Sequence, residues 1–211
     1  MKKRNILAVA TLIILGFTSC SKSDIEKNAR VVYEESFNGS SAWYKGTTDG
    51  YTATETDGKY TISQTPTGYR HSYLQTDIFT GNDKKQIVEY HVKLTSGKGA
   101  ASFIVNRSDG NNFSRVYLSQ NGKITIGSFR QGNFSEIIDW TLNSNININQ
   151  QSVIKLELEN DALSVYSNGT KIYTWNNPGF TTLNKIGVGV STWESPTTTV
   201  EVDKIRALVV N

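Results

Sequence analysis

Apolar and polar residues alternate with a period of two along much of the chain from Val31 onwards. In the segment QIVEYHVKLT, one face of a strand would carry Val88, Tyr90, Val92 and Leu94. In SVIKLELE, residues 152–159, apolar and charged side chains alternate in the same way. This period, with one apolar face, is typical of antiparallel strands that are buried on one side. No window of helical length shows an apolar period of about 3.6 residues, so the pattern predicts strands throughout.

Short turn signals separate the alternating runs. They are the dipeptides Asp57-Gly58, Asp109-Gly110, Asn121-Gly122 and Asn168-Gly169. Such pairs accept the positive φ angles of tight hairpin turns. The Asn-rich segment TLNSNININQQ is a longer polar connection, which Ile146 and Ile148 are expected to pin to the body of the protein. Many short strands at regular spacing predict an all-β, two-sheet antiparallel sandwich of the jelly-roll type.

The N-terminus has a different pattern, which ends at the only cysteine of the chain, Cys20. Three basic residues are followed by an apolar run from Ile6 to Phe17, which is shorter than the roughly 20 residues that span a bilayer. These are the parts of a secretory signal with cleavage after Ser19. The segment FTSC resembles the lipobox of bacterial lipoproteins, in which the cysteine becomes the first residue and is lipidated. Phe17 and Ser19 stand where Leu and a Gly or Ala are commoner.

A single cysteine cannot form an internal disulfide, so its presence in an exported chain needs another explanation, and lipidation provides one. Buried acyl chains hold such a protein stably on a membrane. Ser21 after the cysteine implies the outer membrane, and Asp24 and Glu26 resemble the acidic tethers of surface-exported lipoproteins. The expected organisation is a signal peptide over 1–19, a lipidated tether over 20–30 and a β-sandwich domain over 31–211. The alternative is an ordinary signal peptide with an incidental cysteine.

Processing removes the net charge. The chain has 22 basic and 19 acidic residues, and three of the basic ones precede Cys20 while none of the acidic ones does. The processed chain therefore has equal numbers of both, and its basic residues are scattered. We expect no nucleic-acid partner, because nucleic-acid binding requires clustered positive charge.

The strand pattern resembles a known fold family. The segment IKLELENDALSVYSNGTKIYTW resembles the late strands of concanavalin A-like jelly rolls, the laminin-G-like and lectin/glucanase group. The segment SFIVNRSDGNNFSRVYLSQNGKITIGSFRQGNF is similar to their middle strands. EESFNGSSAWYKG resembles the opening strand and TVEVDKIRALVV the closing one. The resemblance implies the fold but leaves the function open, since such sandwiches serve as lectins, glycosidases, adhesion modules and accessory domains.

Catalytic carboxylates are not evident. The glucanase branch of the family carries Glu-x-Asp-x-Glu on one strand, and retaining hydrolysis needs two carboxyl groups about 5–5.5 Å apart. Glu157, Glu159 and Asp161 have the right spacing in the wrong order, and Asn160-Asp161 is typical of a turn. We expect these to be ordinary solvated charges. The pair Glu201 and Asp203 lies on the closing strand, where a structural role is expected.

Metal or cofactor binding is not predicted either. His71 and His91 lack paired ligand spacing. The loop NRSDGNN has enough oxygens for calcium but lacks the bidentate Glu of a calcium loop, so a plain turn is the favoured interpretation.

The 22 aromatic residues are the best indication of function. Flat rings with a polar edge are suited to stacking on sugars. In NFSRVYLS, if Val116 and Leu118 face the core, then Phe113, Arg115 and Tyr117 lie on an open sheet face. There an arginine beside tyrosine rings could bind the hydroxyls or carboxylate of a glycan.

Trp193, at the end of an apolar strand, and Trp43, near the first turn, are further candidate ligand-binding residues. Trp140 in IIDWT is expected in the core. Each ring taken singly is more often packing than ligand contact, because aromatic side chains are strongly buried in folded proteins.

The leading hypothesis is a non-catalytic glycan-binding lipoprotein of the outer membrane that assists polysaccharide capture or adhesion. Its partners would be a polysaccharide or oligosaccharide, the outer membrane through its lipid, and neighbouring surface proteins. One alternative is a divergent glycoside hydrolase. The other is a structural or partner-binding module without a sugar ligand, which a broad apolar patch lacking a groove would favour.

Overall fold

The computed structural model describes residues 28–65, 68–81, 83–194 and 196–210, so Cys20 lies outside the described residues. These residues form fifteen strands and no helix. The strands are β1 (Ala29–Glu35), β2 (Gly46–Thr48), β3 (Tyr51–Thr56), β4 (Lys59–Gln64), β5 (Gly68–Tyr73), β6 (Lys85–Ser96), β7 (Gly99–Arg107), β8 (Phe113–Ser119), β9 (Lys123–Arg130), β10 (Asn133–Leu142), β11 (Ser152–Glu159), β12 (Ala162–Ser167), β13 (Thr170–Asn176), β14 (Gly187–Thr192) and β15 (Thr198–Val210). Within the described part of the chain, no helix could cross a membrane.

The strands form two antiparallel sheets, as the sequence predicts. A nine-stranded sheet has eight strands in the order β13-β12-β11-β6-β15-β4-β3-β2, and its ninth strand, β1, pairs with β15 beside this path. The long strand β15 pairs with β4 through its first half and with β1 through its second half. A six-stranded sheet has the order β10-β9-β8-β7-β14-β5. This architecture confirms the all-β, two-sheet jelly-roll sandwich.

The core lies between the two sheets and consists of the apolar residues that alternate along the strands. Val88, Tyr90 and Val92 of β6 are fully buried in it, and Leu94 is 5% exposed. The connection between β10 and β11 is attached in the expected way. Ile146 and Ile148 are both part of the core cluster, and the carbonyl of Ile148 accepts a hydrogen bond from the Leu94 amide at 2.6 Å.

Three of the four turn signals lie in the tight hairpins that they predict. At Asn121-Gly122, between β8 and β9, the Gly122 amide donates to the Ser119 carbonyl at 3.1 Å and the φ angle of Gly122 is 77°. At Asp57-Gly58 the φ angles are 53° and 73°, and at Asn168-Gly169 they are 48° and 82°. Positive φ at both central residues is the signature of a type I′ turn. Asp109-Gly110 lies instead in a wider loop between β7 and β8. There the Asp109 carboxylate accepts hydrogen bonds from the Asn111 amide at 2.7 Å and from the Asn112 side chain.

A buried hydroxyl cluster ties the edge strand β5 to the opposite sheet. Ser72 of β5 shares hydrogen bonds of 2.6 Å with the hydroxyls of Tyr51 and Tyr60, which come from β3 and β4. The Tyr60 hydroxyl also donates to the carbonyl of Tyr44 at 2.7 Å. Burial raises the pKa of both tyrosines, so they stay protonated and remain donors at neutral pH. The cluster fixes the position of β5 relative to the nine-stranded sheet.

Trp43 belongs to the core, so the expectation that it binds ligand is wrong. It is 2% exposed, and its indole Nε1 donates to the Tyr33 hydroxyl at 2.9 Å. Its ring packs against Phe37 and Tyr60, with centroids 6.2 and 5.7 Å away. Trp43 lies in the connection between β1 and β2, where there is no alternation to indicate which way a side chain points.

We predict that Trp43→Ala lowers the free energy of unfolding by about 3–5 kcal/mol, since it removes a large fully packed side chain. Tyr44→Ala is the matched control, because Tyr44 is the next residue and is 46% exposed. The control should cost less than about 1.5 kcal/mol. Urea denaturation of both variants tests this, and equal losses would contradict the assignment of Trp43 to the core.

Candidate functional site

The outer face of β8 carries the three neighbouring candidates from the sequence. Val116 and Leu118 are fully buried in the core, so Phe113, Arg115 and Tyr117 point away from it. This is the predicted division of the strand. The face is nevertheless well covered, because these three residues are only 4%, 3% and 8% exposed. Side chains from the neighbouring strands close over them and turn the sheet face into a groove.

Glycines keep the floor of this groove low. On β14, Val188 and Val190 face the core, so Gly187 and Gly189 face outward. A Cβ atom at Gly189 would lie 2.5 Å from both the Arg70 carbonyl oxygen and the Ser102 Oγ. On β9, a Cβ at Gly127 would lie 2.4 Å from the ring of Phe134. Neither position can accept a larger residue without moving its neighbours.

The groove has two adjoining parts of about 320 Å³ each, which share Tyr69 and Phe129. The residues around the first part include Arg115, Tyr117, Phe134, Glu136 and Trp140. Those around the second include His71, Arg107, Asn111 and Phe113. The loop between β7 and β8 closes the second part, since both Gly110 and Asn111 line it.

Aromatic rings form a nearly continuous wall along the groove. Phe113 stacks on Phe129 at 4.5 Å, and Phe129 contacts Phe134 at 5.1 Å. At the other end Trp140 meets Trp193 edge to face, with centroids 5.1 Å apart. The rim rings are accessible to solvent: the exposed fractions are 41% for Tyr69, 52% for Phe134 and 36% for Trp193.

Trp140 is at this rim and not in the core, which corrects the expectation from the sequence. It lines the groove, and its ring lies 6.1 Å from that of Tyr117. Strand β10 is the edge of its sheet, and its register with β9 shifts after Glu136 and again after Ile138. Such bulges redirect the side chains that follow, so alternation along β10 does not report which face Trp140 occupies.

Two arginines lie among the rings. The guanidinium of Arg115 is 4.1 Å from the Tyr69 ring centroid and 4.6 Å from that of Tyr117. The guanidinium of Arg107 is 4.2 Å above the ring of Tyr73. Such cation–π contacts hold a guanidinium in place. Arg107, Tyr69 and Tyr73 were not predicted, although the alternation in GYRHSY could have placed the two tyrosines on one face.

His71 is the third basic residue of the groove and is uncharged. Its Nε2 lies 3.4 Å from Arg107 Nη1. Burial lowers the pKa of His71 to about 3, and the positive charges of Arg115, Arg107 and Arg70 contribute to this low value. A neutral imidazole at this position keeps one nitrogen available as a hydrogen-bond acceptor.

Glu136 is the only residue with a carboxylate among the described residues that line the groove, and it lies in the first part. Its Oε1 accepts a hydrogen bond of 3.3 Å from the Thr125 hydroxyl. Cross-strand register puts Glu136 in one row with Gly127 and Arg115. Two strand spacings therefore separate the Glu136 and Arg115 backbones, about 10 Å.

The carboxylates considered from the sequence belong to the other sheet. Glu157 is not an ordinary solvated charge, because it forms ion pairs with Lys85 at 3.0 Å and with Lys155 at 2.9 Å. Lys85 also reaches Glu159 at 3.3 Å. Asp161 has a φ of 56° and lies after the end of β11, which confirms the predicted turn.

The second pair of carboxylates does not line the groove either. Glu201 of β15 forms an ion pair of 2.9 Å with Lys59 of β4. In the described ranges, no three residues of His, Cys, Asp or Glu are grouped closely enough to hold a metal ion.

Comparison with solved structures identifies the fold class as concanavalin A-like. No protein-family model and no curated protein matches this sequence. The carbohydrate binding module CBM66 from Bacillus subtilis is similar over 84% of this chain and 94% of its own, with 16% identity and a TM-score of 0.52. A β-glucanase of Bacillus licheniformis matches over 85% and 97%, with 13% identity and a TM-score of 0.55. The carbohydrate recognition domain of Emp47p matches over 88% and 98%, with 14% identity and a TM-score of 0.59. At these identities the similarity establishes the fold alone.

The low pKa of His71 predicts a pH dependence of stability. The unfolded chain takes up a proton on this imidazole near the ordinary histidine pKa of 6.5, whereas the folded protein does so only at a pKa of about 3. Protons therefore bind preferentially to the unfolded state between these values, and stability is lost as the pH falls below 6.5.

The variant His71→Gln should lose less stability than the wild type between pH 7 and pH 4.5. Carboxylates titrate in both proteins, so the difference between the two curves isolates His71. Chemical denaturation at each pH gives the free energies of unfolding. Parallel curves for the two proteins would contradict the burial of a neutral imidazole at this position.

Proposed function

We propose that the protein is a non-catalytic glycan-binding lipoprotein, held at the outer membrane by its N-terminal lipid, which captures polysaccharide in the groove of the six-stranded sheet. The observation that carries the proposal is the combination of exposed rings at the rim with buried polar donors at the floor. The carbohydrate-binding proteins among the structural neighbours support it.

The chemistry of the groove suits a sugar chain. A pyranose ring has apolar C–H faces, which stack on flat aromatic rings, and hydroxyls around its edge, which need hydrogen-bond partners. Phe134, Trp140 and Trp193 offer the rings, and Arg115 offers N–H donors below them. The two adjoining parts are together long enough for more than one sugar, because each has the volume of a small-ligand site.

The proposal of a binding role without catalysis rests on the carboxylates. Retaining hydrolysis uses two carboxyl groups about 5–5.5 Å apart, and inverting hydrolysis uses two about 6.5–9.5 Å apart. The outward positions of β8 carry Phe113, Arg115 and Tyr117, none of them an acid. Glu136 has no carboxylate partner among the described residues that line the first part of the groove.

The proposed location rests on the N-terminal sequence. The basic start, the apolar run and the lipobox-like segment before Cys20 support export and lipidation, and Ser21 supports the outer membrane. The first strand begins at Ala29, so a short polar segment would separate the lipid from the folded domain. This arrangement would keep the groove close to the cell surface.

A divergent glycoside hydrolase is the second candidate, because a β-glucanase is among the structural neighbours. Released sugars after incubation with a polysaccharide would favour it over the binding role. In that case Glu136 would be the first residue to replace, since Glu157 and Glu159 are engaged in ion pairs on the other sheet.

The binding proposal predicts a specific effect of removing two rim rings. Residues 21–211 would be run through affinity gels that hold plant, algal and host polysaccharides, and each polymer would be analysed for products. For a retained polymer, Trp140→Ala combined with Trp193→Ala should weaken binding by about tenfold or more, since each stacking contact contributes on the order of 1 kcal/mol.

Tyr44→Ala is the control, because it removes an exposed ring outside the groove and should leave retention unchanged. Thermal unfolding checks that all variants remain folded. Unchanged binding by the double variant would reject the groove as the binding site. A lack of retention on every gel would instead favour a module that binds a protein partner.

A further inference from the structure

Arg115 is buried on the groove floor without a full set of hydrogen-bond partners. It is 3% exposed, and neither its Nε nor its Nη1 has a partner among the described residues. Its close neighbours are rings: besides Tyr69 and Tyr117, the Phe129 centroid lies 5.1 Å from the guanidinium carbon. No ion pair with a carboxylate of the described residues includes Arg115.

This arrangement is costly for the protein alone. An arginine stays protonated in proteins, and a buried charge without partners is strongly unfavourable. The aromatic faces offset part of the cost, and the Tyr69 side chain forms a hydrogen bond with Arg115, but Nε and Nη1 find no acceptor among the described residues. An acceptor supplied by a ligand would complete the site. The guanidinium fork is matched in shape to a carboxylate or another anion with two oxygens side by side.

The positive potential extends along the groove beyond Arg115. His71 Nδ1 is also buried without a partner among the described residues, and Arg107 lies next to the same imidazole. The lowered pKa of His71 reflects burial first and the nearby arginines second. On the opposite side, the Glu136 and Arg115 backbones are about two strand spacings apart, and the charges that act on the pKa of Arg115 include no carboxylate of the described residues.

We propose that the groove selects anionic glycans, and that a carboxylate or sulfate ester of the bound sugar pairs with the guanidinium of Arg115. The inference rests on the proposed glycan-binding function and adds the charge of the ligand to it. Tyr69 covers Arg115 from the edge strand β5 and is 41% exposed. It is therefore the ring that moves aside when the anion enters, and its face then lies against the sugar.

Affinity gels with matched polymers test the proposal directly. The probes are polygalacturonate, the same polymer after reduction of its carboxyl groups, and the sulfated galactan carrageenan. Retention by at least one of the anionic polymers is expected, and comparing the two separates carboxylate from sulfate recognition. If polygalacturonate is the one retained, its reduced and neutral form should bind at least about tenfold more weakly, because a charge-assisted pair is lost.

The variant Arg115→Gln should weaken retention by at least about tenfold. Arg115→Lys keeps the charge but loses the fork, and it should fall between this variant and the wild type. The control Arg30→Gln makes the same change in net charge on β1 of the other sheet, where Arg30 is exposed, and should bind like the wild type. Thermal unfolding identifies any variant that fails to fold, and Arg115→Lys then carries the test.

Three results would overturn the proposal. Binding of neutral polymers only, unchanged in Arg115→Gln, would reject anion selection but leave glycan binding intact. Equal weakening by Arg115→Gln and Arg30→Gln would show a general charge effect and no specific pair. A lack of retention on every polymer would reject the glycan-binding function together with this inference.

Discussion

The position of the groove follows from the period-two alternation of side chains in the six-stranded sheet. Val116 and Leu118 on β8 and Val188 and Val190 on β14 are all fully buried against the other sheet. The residues between them must then point outward, which places an arginine and rings on β8 beside glycines on β14. A slip of one residue in either strand would exchange the two faces. The same apolar contacts that stabilise the sandwich therefore also define its outer surface.

The side of the groove that β5 forms depends on a second constraint. β5 is an edge strand with one neighbour, β14, so its pairing alone holds it weakly. The hydrogen bonds of Ser72 with Tyr51 and Tyr60 attach its inner side to the nine-stranded sheet. Its outer side chains, Tyr69 and His71, are thereby held against the arginines. A polar cluster inside the core thus positions the groups that face a ligand outside it.

Much of this arrangement could be predicted from local sequence patterns, because alternation and turn chemistry are local. The buried face of β6, the hairpin at Asn168-Gly169 and the division of β8 are examples. The rest depends on which strands become neighbours, and that is not local. The sequence does not show that β5 and β14 bring His71 next to Arg107, or that Lys85 pairs with Glu157. Bulges and irregular connections also interrupt the period-two alternation of side chains. The bulges of β10 explain the wrong prediction for Trp140, and the connection between β1 and β2 explains the one for Trp43.

The most direct test of the binding face is an NMR titration that follows the four indole N–H signals, with the polysaccharide fragments that the protein retains. The four tryptophans provide internal controls, because Trp140 and Trp193 meet at the groove rim while Trp43 and Trp175 belong to the core. The account predicts that the signals of Trp140 and Trp193 shift in a saturable manner and that those of Trp43 and Trp175 stay in place. Saturable binding that leaves both rim signals unmoved would contradict the assignment of the groove as the glycan site.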